Sequence, residues 1–316
     1  MNDDKHITAE IIADSLNPQG VRITSWVLEY PRFLHSELMT HRVFSKNAAS
    51  SRAIPVDKLI QQIQDNPALP VWWGKNQPGM QANEEVDDTI KRPVFFGPST
   101  GFNDPSTLTD KEHAKAVWLE ARDSAIEYVK RLNAIGLHKQ IANRICEPWF
   151  NIRIIMTGTE YENFFKLRAH PDAQPEFQNL AYKMKALYET NKPVQLKAGE
   201  WHVPFGDQID TTRVYELFND GSGVSNMSLD EWKNTLTDTK NKIAIARCAR
   251  VSYLNYEGKD DYDADVKLCD RLFGSVPRHL SPTEHVAQAL DSTEFVGNFK
   301  GFKQYRKFFA DESGTA

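Results

Sequence analysis

The sequence predicts a mixed α/β fold (α+β), in which helices pack against a mixed sheet. Residues 21–30 are rich in β-branched and aromatic side chains, a composition typical of strands. Residues 109–132 repeat apolar side chains at helical spacing behind a Thr-x-x-Glu start signal. Residues 54–108 carry many Pro, Gly, Asn and Asp residues, which favour irregular chain. These patterns together predict a single domain over residues 1–316 with an irregular insertion at about 54–108.

The first half of the chain is expected to continue from this strand into helices. Pro31 is expected to open a helix over 31–42, because proline fits the first helical position. A short helix is expected at about 59–65 within the insertion. The long helix after Thr109 is expected to end near Gly136, since glycine is favoured just past a helix.

The second half of the chain is predicted to be mainly helical. The expected elements are helices over 138–145, from Pro175 onward and over 261–273, and a buried strand over 152–156. The first of these helices is expected to stop before Pro148, because the residue before a proline disfavours helical geometry. Residues 243–254 fit either a strand or a helix, since a short apolar run does not distinguish the two.

Composition excludes several classes of protein. The 43 Asp and Glu residues against 38 Lys and Arg residues give a net charge of -5, which argues against a broad nucleic-acid surface. No apolar run reaches about 18 residues, and the acidic N-terminus lacks the layout of a signal peptide. Cys146, Cys248 and Cys269 lie too far apart to predict a disulfide framework or a cysteine-rich zinc site. We therefore expect a cytoplasmic protein without a membrane or nucleic-acid partner.

The densest cluster of hydrogen-bond donors covers residues 41–52. It contains two arginines, a lysine, three serines and an asparagine, and it follows the predicted helix. Arginine forks and serine hydroxyls match the geometry of phosphate and carboxylate groups, so this cluster is a candidate anion site. A solvated helix end, where basic side chains complement the helix dipole, explains the same composition equally well.

Arg168 belongs to a second polar segment, residues 163–176, which leads into the helix from Pro175. A guanidinium placed just before a turn can be held rigidly and offered to a ligand. The alternative is a structural salt bridge to Glu160, Glu162 or Asp172.

Sequence motifs argue against four common types of site. The segment over residues 279–285 contains two histidines and a glutamate, but their spacing fits no metal motif on one helix face, so we expect no metal. The chain also lacks a P-loop, a G-x-G-x-x-G fingerprint and a G-x-S-x-G elbow. Any nucleotide would therefore be bound through arginine and serine side chains.

These polar segments resemble the signatures of the flavin-dependent thymidylate synthase family. THRVFSKNAASSR at 40–52 resembles its first signature, and NFFKLRAHPDAQPE at 163–176 resembles its second. HLSPTEH at 279–285, with ARVSYL at 249–254, is similar to a third family segment. In the family this third segment precedes the first, so the resemblance implies a circularly permuted chain. The rest of the chain, including WGKNQPGMQA at 73–82 and GEWHVP at 199–204, resembles a longer subgroup often seen in phage genomes.

The resemblance implies a fold and a function. The family fold is a mixed α/β domain, and its active sites lie between the subunits of a homotetramer. The implied reaction is methylation of dUMP at C5 to dTMP. FAD relays the one-carbon unit from 5,10-methylenetetrahydrofolate and the hydride, with NADPH as the reductant. Two alternatives stay open. One is flavin-dependent 5-hydroxymethyl transfer to dUMP for phage DNA modification. The other is a non-catalytic nucleotide or single-strand nucleic-acid binder, which the aromatic and basic run at 298–309 would suit.

The resemblance also implies roles for individual residues. The substrate set is Ser50, Ser51, Arg52 and Arg144 at the dUMP phosphate, Arg168 at the uracil ring as the catalytic residue, and Glu37. The flavin set is His41, Arg42, Asn47, Asn163, Ser252, His279, Ser281, Glu284 and Arg306. Thr40 stands where the family has its first signature arginine, and Ala48 where an acidic residue is common. We hypothesise that Arg306 replaces the missing arginine.

Four aromatic residues in the insertion have two possible roles. Trp72, Trp73, Phe95 and Phe96 either cover the folate or flavin, or anchor the insertion on the core. Anchoring is favoured, because tryptophan and phenylalanine mostly serve packing.

Overall fold

The computed structural model describes residues 5–94, 106–218, 228–253, 261–310 and 312. The strands are β1 (Thr8–Leu16), β2 (Arg22–Pro31), β3 (Ser45–Ala48), β4 (Arg92–Val94), β5 (Ser106–Leu108), β6 (Asn151–Gly158), β7 (Val194–Gln195), β8 (Trp201–His202), β9 (Ala287–Ala289), β10 (Phe295–Val296), β11 (Phe299–Lys300) and β12 (Phe302–Gln304). The α-helices are α1 (His35–Leu38), α2 (Val56–Asp65), α3 (Asp110–Ala134), α4 (Lys139–Ala142), α5 (Glu162–Arg168), α6 (Pro175–Thr190), α7 (Thr211–Glu216), α8 (Leu229–Tyr253) and α9 (Tyr262–Gly274).

A five-stranded mixed sheet organises the fold. Its strand order is β3-β6-β2-β1-β7, with β7 parallel to β1 and every other pair antiparallel. A three-stranded sheet has the order β12-β9-β8, and two further pairs are β10-β11 and β4-β5. The prediction of a mixed sheet with packed helices is confirmed.

Apolar packing separates the molecule into clusters on either side of this sheet. The largest cluster joins β2 and β6 to α2, α3, α5 and α6, and it includes Trp26, Tyr30, Met156, Phe164 and Phe177. A second cluster joins α7, α8 and α9. The prediction of one domain over residues 1–316 stays a prediction.

Several predicted elements are confirmed by local chemistry. The Thr109 hydroxyl accepts a hydrogen bond from the Glu112 N–H at 3.1 Å, and the Glu112 carboxylate accepts one from the Thr109 N–H at 2.9 Å. This reciprocal capping starts α3. Pro175 occupies the first turn of α6 as expected. The ambiguous run over 243–254 is helical over the part that the structure describes, as the end of α8.

The predicted helix over 31–42 is wrong in its start and length. Pro31 ends β2 and pairs with Asn151 of β6, and the next residue continues the pairing by donating its N–H to the Phe150 carbonyl at 2.8 Å. A 3-10 turn over Arg32–Leu34 and the four residues of α1 follow. Proline fits the end of a strand as well as the start of a helix. At the end of a strand its missing N–H removes only one hydrogen bond between the strands.

The predicted stop before Pro148 is also wrong. The helix over 139–142 continues as 3-10 turns through Asn143–Trp149, with Pro148 inside them. Asn143 is fully buried and donates to the carbonyls of Ser51 and Ile54 at 2.7 and 3.0 Å. These hydrogen bonds hold the 3-10 turns against the 50–54 segment, and local sequence does not reveal them.

β1 is a strand that the acidic sequence at the N-terminus did not predict. Its Asp14 is buried because Arg22 of β2 forms a salt bridge with it at 2.5 Å. Thr24 and Asn191 donate further hydrogen bonds to the same carboxylate at 2.9 and 2.7 Å. A buried charge needs such partners, so Asp14 belongs to the interior only in the folded chain.

A buried polar chain connects the sheet to the C-terminal segments. Hydrogen bonds link Ser15 to His202 Nδ1 at 2.9 Å, His202 Nε2 to Ser25 at 2.8 Å, Ser25 to Thr157 at 2.6 Å, and Thr157 to His285 Nδ1 at 2.9 Å. Burial lowers the pKa of both histidines to about 3, so both imidazoles are neutral at pH 7. His285 is the last residue of the polar segment over 279–285 and joins it to Thr157 of β6.

Acid is expected to destabilise the fold through these histidines. An unfolded histidine takes up its proton near pH 6.5 and these folded ones only near pH 3. Their contribution to stability is therefore complete above pH 6.5 and is lost as the pH falls toward 3. Lowering the pH from 7 to 5 should cost about 2 kcal/mol per histidine in the free energy of unfolding.

The matched pair for this prediction is His285→Gln and His279→Gln, measured by urea unfolding at pH 7 and pH 5. His285→Gln should shrink the loss between the two pH values by about 2 kcal/mol, whatever its stability at pH 7. The exposed His279 should leave that loss unchanged. An equal loss in wild type and His285→Gln would contradict the prediction.

Candidate functional site

Arg168, the last residue of α5, is held by three side chains from other segments. Its Nε donates to His41 Nε2 at 2.9 Å, and one terminal nitrogen forms a short salt bridge with Glu37. Its guanidinium carbon lies 4.7 Å from the centre of the Phe177 ring, so the cation also rests on an aromatic face. The salt bridge thus joins Arg168 to α1 and not to Glu160, Glu162 or Asp172. Its other terminal nitrogen has no partner among the described residues.

His41 acts as a neutral acceptor in this arrangement. Burial is the main cause that lowers its pKa to about 4, with the charges of Arg168 and Lys46 adding to the effect. The Lys46 amine donates a short hydrogen bond to the His41 carbonyl. Burial lowers the pKa of Lys46 to about 8, so this amine is still mostly charged at neutral pH.

Arg168 and Glu37 line an open cavity of about 680 Å³. The rest of the lining comes from the 171–176 segment that leads into α6 and, in the insertion, from Trp72, Gly74 and residues 80–83. The volume is in the range of small-molecule sites. A guanidinium fixed at the wall of such a cavity can hydrogen-bond a carbonyl or stabilise negative charge on a bound ring.

Two of the four predicted phosphate residues, Ser51 and Arg144, meet at one carboxylate, and the other two contact each other. The Ser51 hydroxyl donates to Glu147 Oε1 at 2.6 Å, and Arg144 donates to the same oxygen at 2.9 Å. Arg52 Nε lies 3.5 Å from the Ser50 hydroxyl, and both of these arginines are exposed. Glu147 therefore aligns a hydroxyl and a guanidinium that can turn to an incoming anion.

The third polar segment meets the C-terminus. A 3-10 turn over Ser281–Glu284 presents Glu284, whose carboxylate accepts a hydrogen bond from Arg306 at 2.5 Å. Arg306 also donates to the Glu312 carbonyl at 3.0 Å. Gln304 joins this group to the first signature, since it donates to the Ser45 hydroxyl at 2.8 Å and to the Glu284 carbonyl at 3.1 Å.

The other predicted flavin residues differ in how firmly they are held. Asn47 donates to the Cys248 carbonyl at 3.0 Å, which links β3 to α8. Arg42, Asn163, His279 and Ser281 are exposed. Ser252 lies in α8, but its side chain falls outside the described residues, as do Phe95 and Phe96.

Sequence reasoning missed four residues of these groups: Lys46, Glu147, Gln304 and Phe177. Lys46 lies inside the first signature, but only its burial next to His41 distinguishes it from a solvated lysine. The position of Glu147, three residues after Arg144, was a usable signal, because residues at that spacing share a helical face. Gln304 and Phe177 contact residues that are distant in the sequence, so no local sequence pattern predicts these contacts.

All three cysteines are buried and free of disulfides. Burial raises the pKa of Cys146 to about 11, and it raises those of Cys248 and Cys269 even further. At neutral pH each is a thiol and not the thiolate that acts as a nucleophile. Within the described ranges, no three His, Cys, Asp or Glu side chains are grouped to hold a metal, and no helix is apolar over a length that could cross a membrane.

Comparisons with known proteins bear on these same segments. A crystal structure of the UMP/dUMP methylase PolB from Streptomyces cacaoi, bound with 5-Br UMP, aligns at a TM-score of 0.39 and 18% identity, over 58% of this chain and 88% of that one. The comparison with curated protein sequences found no match. The sequence model of the thymidylate synthase complementing protein family matches residues 20–194, a span that includes α1, β3 and the Arg168 segment. Because this match covers more than half of the sequence, the chain belongs to the thymidylate synthase complementing protein family.

Proposed function

We propose that this protein is an enzyme that methylates dUMP at C5 to give dTMP, using FAD and 5,10-methylenetetrahydrofolate. Family membership supports modification of dUMP at C5. The observation that carries the proposal is Arg168, fixed between His41, Glu37 and Phe177 at the wall of the 680 Å³ cavity.

In this proposal Arg168 activates the pyrimidine. A guanidinium that donates to the carbonyl edge of uracil favours negative charge there, and the ring then becomes more nucleophilic at C5. His41 is neutral and accepts the Arg168 Nε–H, so it orients the cation without repelling it. This activation needs no enzyme nucleophile, which agrees with three cysteines that burial keeps protonated.

The dUMP phosphate is assigned to Ser50, Ser51, Arg52 and Arg144. The two exposed guanidiniums and the two hydroxyls form a donor set that suits a dianion. Glu147 holds Ser51 and Arg144 in the free protein, so phosphate binding has to exchange one acceptor for another. That exchange lowers the net free energy that each donor contributes to phosphate binding. Selectivity for phosphate then depends on how the donors are arranged.

The flavin is assigned to His41, Arg42, Asn47, Asn163, Ser252, His279, Ser281, Glu284 and Arg306. The donor chemistry fits FAD, since exposed Arg42 and Ser281 suit its diphosphate and the Arg306–Glu284 pair offers both a donor and an acceptor. Bound FAD, reduced by NADPH, would supply the hydride and the relay of the one-carbon unit. The chain's own part is to bind and orient the reactants and to exclude water.

We also propose that the chain is circularly permuted relative to the usual family order. Supporting contacts join β3 to segments more than 200 residues away, namely Asn47 to Cys248 and Ser45 to Gln304. These contacts support the permutation, because segments that precede the first signature in an unpermuted chain would be expected to lie next to it. The proposed assembly is a homotetramer with active sites between its subunits. The proposed location is the cytoplasm.

A second candidate product is 5-hydroxymethyl-dUMP. The departures at Thr40 and Ala48 keep this alternative open, because the family signature has an arginine at the first position and commonly an acidic residue at the second. A non-catalytic nucleotide or single-strand nucleic-acid binder is the candidate from another class.

Product mass separates these functions. Purified protein is incubated with dUMP, methylenetetrahydrofolate and NADPH, and the nucleotide is analysed by mass spectrometry. A mass increase of one methylene group supports dTMP formation, and a further oxygen supports the hydroxymethyl product. A protein without a flavin absorption spectrum and with unchanged dUMP would be a binder.

Arg168→Ala is expected to abolish turnover while flavin stays bound. Loss of one preorganised donor to developing charge typically costs about 100-fold or more in kcat. The measurements are kcat with dUMP and the flavin absorption of the purified variant. Arg131→Ala, an exposed arginine in the last turn of α3, is the control and should behave as wild type. Full activity of Arg168→Ala would refute the role given to this residue.

Arg306→Ala tests whether Arg306 supplies the charge that Thr40 lacks. If it does, the affinity for flavin or for dUMP should fall by about tenfold, as expected for one charged contact. Lys307→Ala is a matched control, because Lys307 also pairs with Glu312, at 2.8 Å, but has no contact with Glu284. Unchanged affinity for both ligands in Arg306→Ala would count against the replacement.

A further inference from the structure

The insertion contributes part of the lining of the Arg168 cavity. Trp72, Gly74 and residues 80–83 line it together with Arg168 and Glu37. The Arg168 side is polar and charged, whereas the insertion side carries two large apolar side chains, Trp72 and Met80. The cavity therefore has one face suited to polar edges and one suited to the flat face of a ring.

The 72–83 segment is a built structure with its own hydrogen bonds. Backbone bonds join Lys75 N–H to the Glu84 carbonyl at 2.7 Å and Val86 N–H to the Trp73 carbonyl at 2.9 Å. The two limbs of this segment, the one at Gly74 and the 80–83 limb, approach each other closely. A Cβ added at Gly74 would lie 2.4 Å from the Ala82 Cβ. Contact this close fixes the position of the 80–83 limb relative to Trp72.

The 72–83 segment is also attached to the core and to the 171–176 segment that lines the same cavity. The Trp73 ring packs on Trp118 of α3 with centroids 6.4 Å apart. The Glu176 carboxylate, nearly fully buried, accepts the Val71 N–H at 2.9 Å. Gln81 forms a short hydrogen bond with the Asp172 carbonyl. Of the two neighbouring tryptophans, Trp73 is therefore the anchor, and Trp72 is left for the cavity.

Two apolar side chains of this segment are left in solvent. Met80 is fully exposed and Trp72 is 40% exposed, although both line the cavity. Placing a planar ring against them would remove apolar surface from water. An unbranched methionine also adapts well to the outline of a ligand and makes favourable contacts with aromatic rings.

We propose that the 72–83 segment forms the part of the cavity that recognises the nucleotide base. Trp72 and Met80 pack on the face of the pyrimidine, and Arg168 binds the polar edge of the same ring. This rests on the proposed function, since it takes dUMP as the ligand of the cavity. It assigns the insertion a role in binding the base and not the folate.

The close approach at Gly74 provides a sharp test. Gly74→Ala forces the 80–83 limb away, and Ala82→Gly removes the atom that it strikes. In flavin-loaded protein, calorimetric titration with dUMP should show about tenfold weaker binding for Gly74→Ala. The double variant Gly74→Ala/Ala82→Gly should recover wild-type affinity to within about twofold, since the two backbones again fit.

Met80→Ala is the second variant, because an exposed side chain can be removed without disturbing the fold. It should weaken dUMP binding by about threefold to tenfold, and Ile90→Ala, an exposed apolar residue of the insertion outside the cavity lining, should not. Wild-type dUMP affinity in both Met80→Ala and Gly74→Ala would overturn the inference, as would a change confined to the KM for methylenetetrahydrofolate. A wild-type protein that binds no dUMP would instead overturn the proposed function, and this inference with it.

Discussion

The position of the Arg168 guanidinium is the constraint on which the rest of the candidate site depends. It is held on one edge by His41, on another by Glu37 and on one face by Phe177. These partners come from α1, the turn after it and α6, so three segments must pack correctly before the cation has one orientation. Burial keeps His41 neutral, and a neutral acceptor is what lets an arginine and a histidine lie side by side.

A separate buried hydrogen-bond chain holds the C-terminal segments against the sheet. The buried chain from Ser15 through His202 and Thr157 to His285 spans the sheet and ends beside Glu284. A buried hydroxyl or imidazole that loses its partner costs free energy, so each link restricts where the next can lie. Glu284 and its partner Arg306 are thereby held close to β3, although they are far from it in sequence.

Local sequence was enough wherever an element depends on its own residues. The capping box at Thr109, the first-turn proline of α6 and the β-branched strand predicted over 21–30 all formed, the strand with a shift of one residue at each end. The failures share one cause. Pro31 lies in a strand because β6 pairs with it, and Asp14 is buried because Arg22 pairs with it. A residue whose environment is supplied by a distant segment cannot be placed from its neighbours in sequence.

The sequence by itself determined the fold class, the family resemblance and the three polar segments, because helix caps, side-chain periodicity and clustered donors are local properties. Only the tertiary structure decided which of those donors meet. It paired Arg168 with Glu37 and gathered Ser51 and Arg144 on Glu147. It also brought the 72–83 segment and Arg168 to the same cavity. The physical reason is that an ion pair or a cavity wall needs two surfaces, and long-range packing alone sets the distance between them.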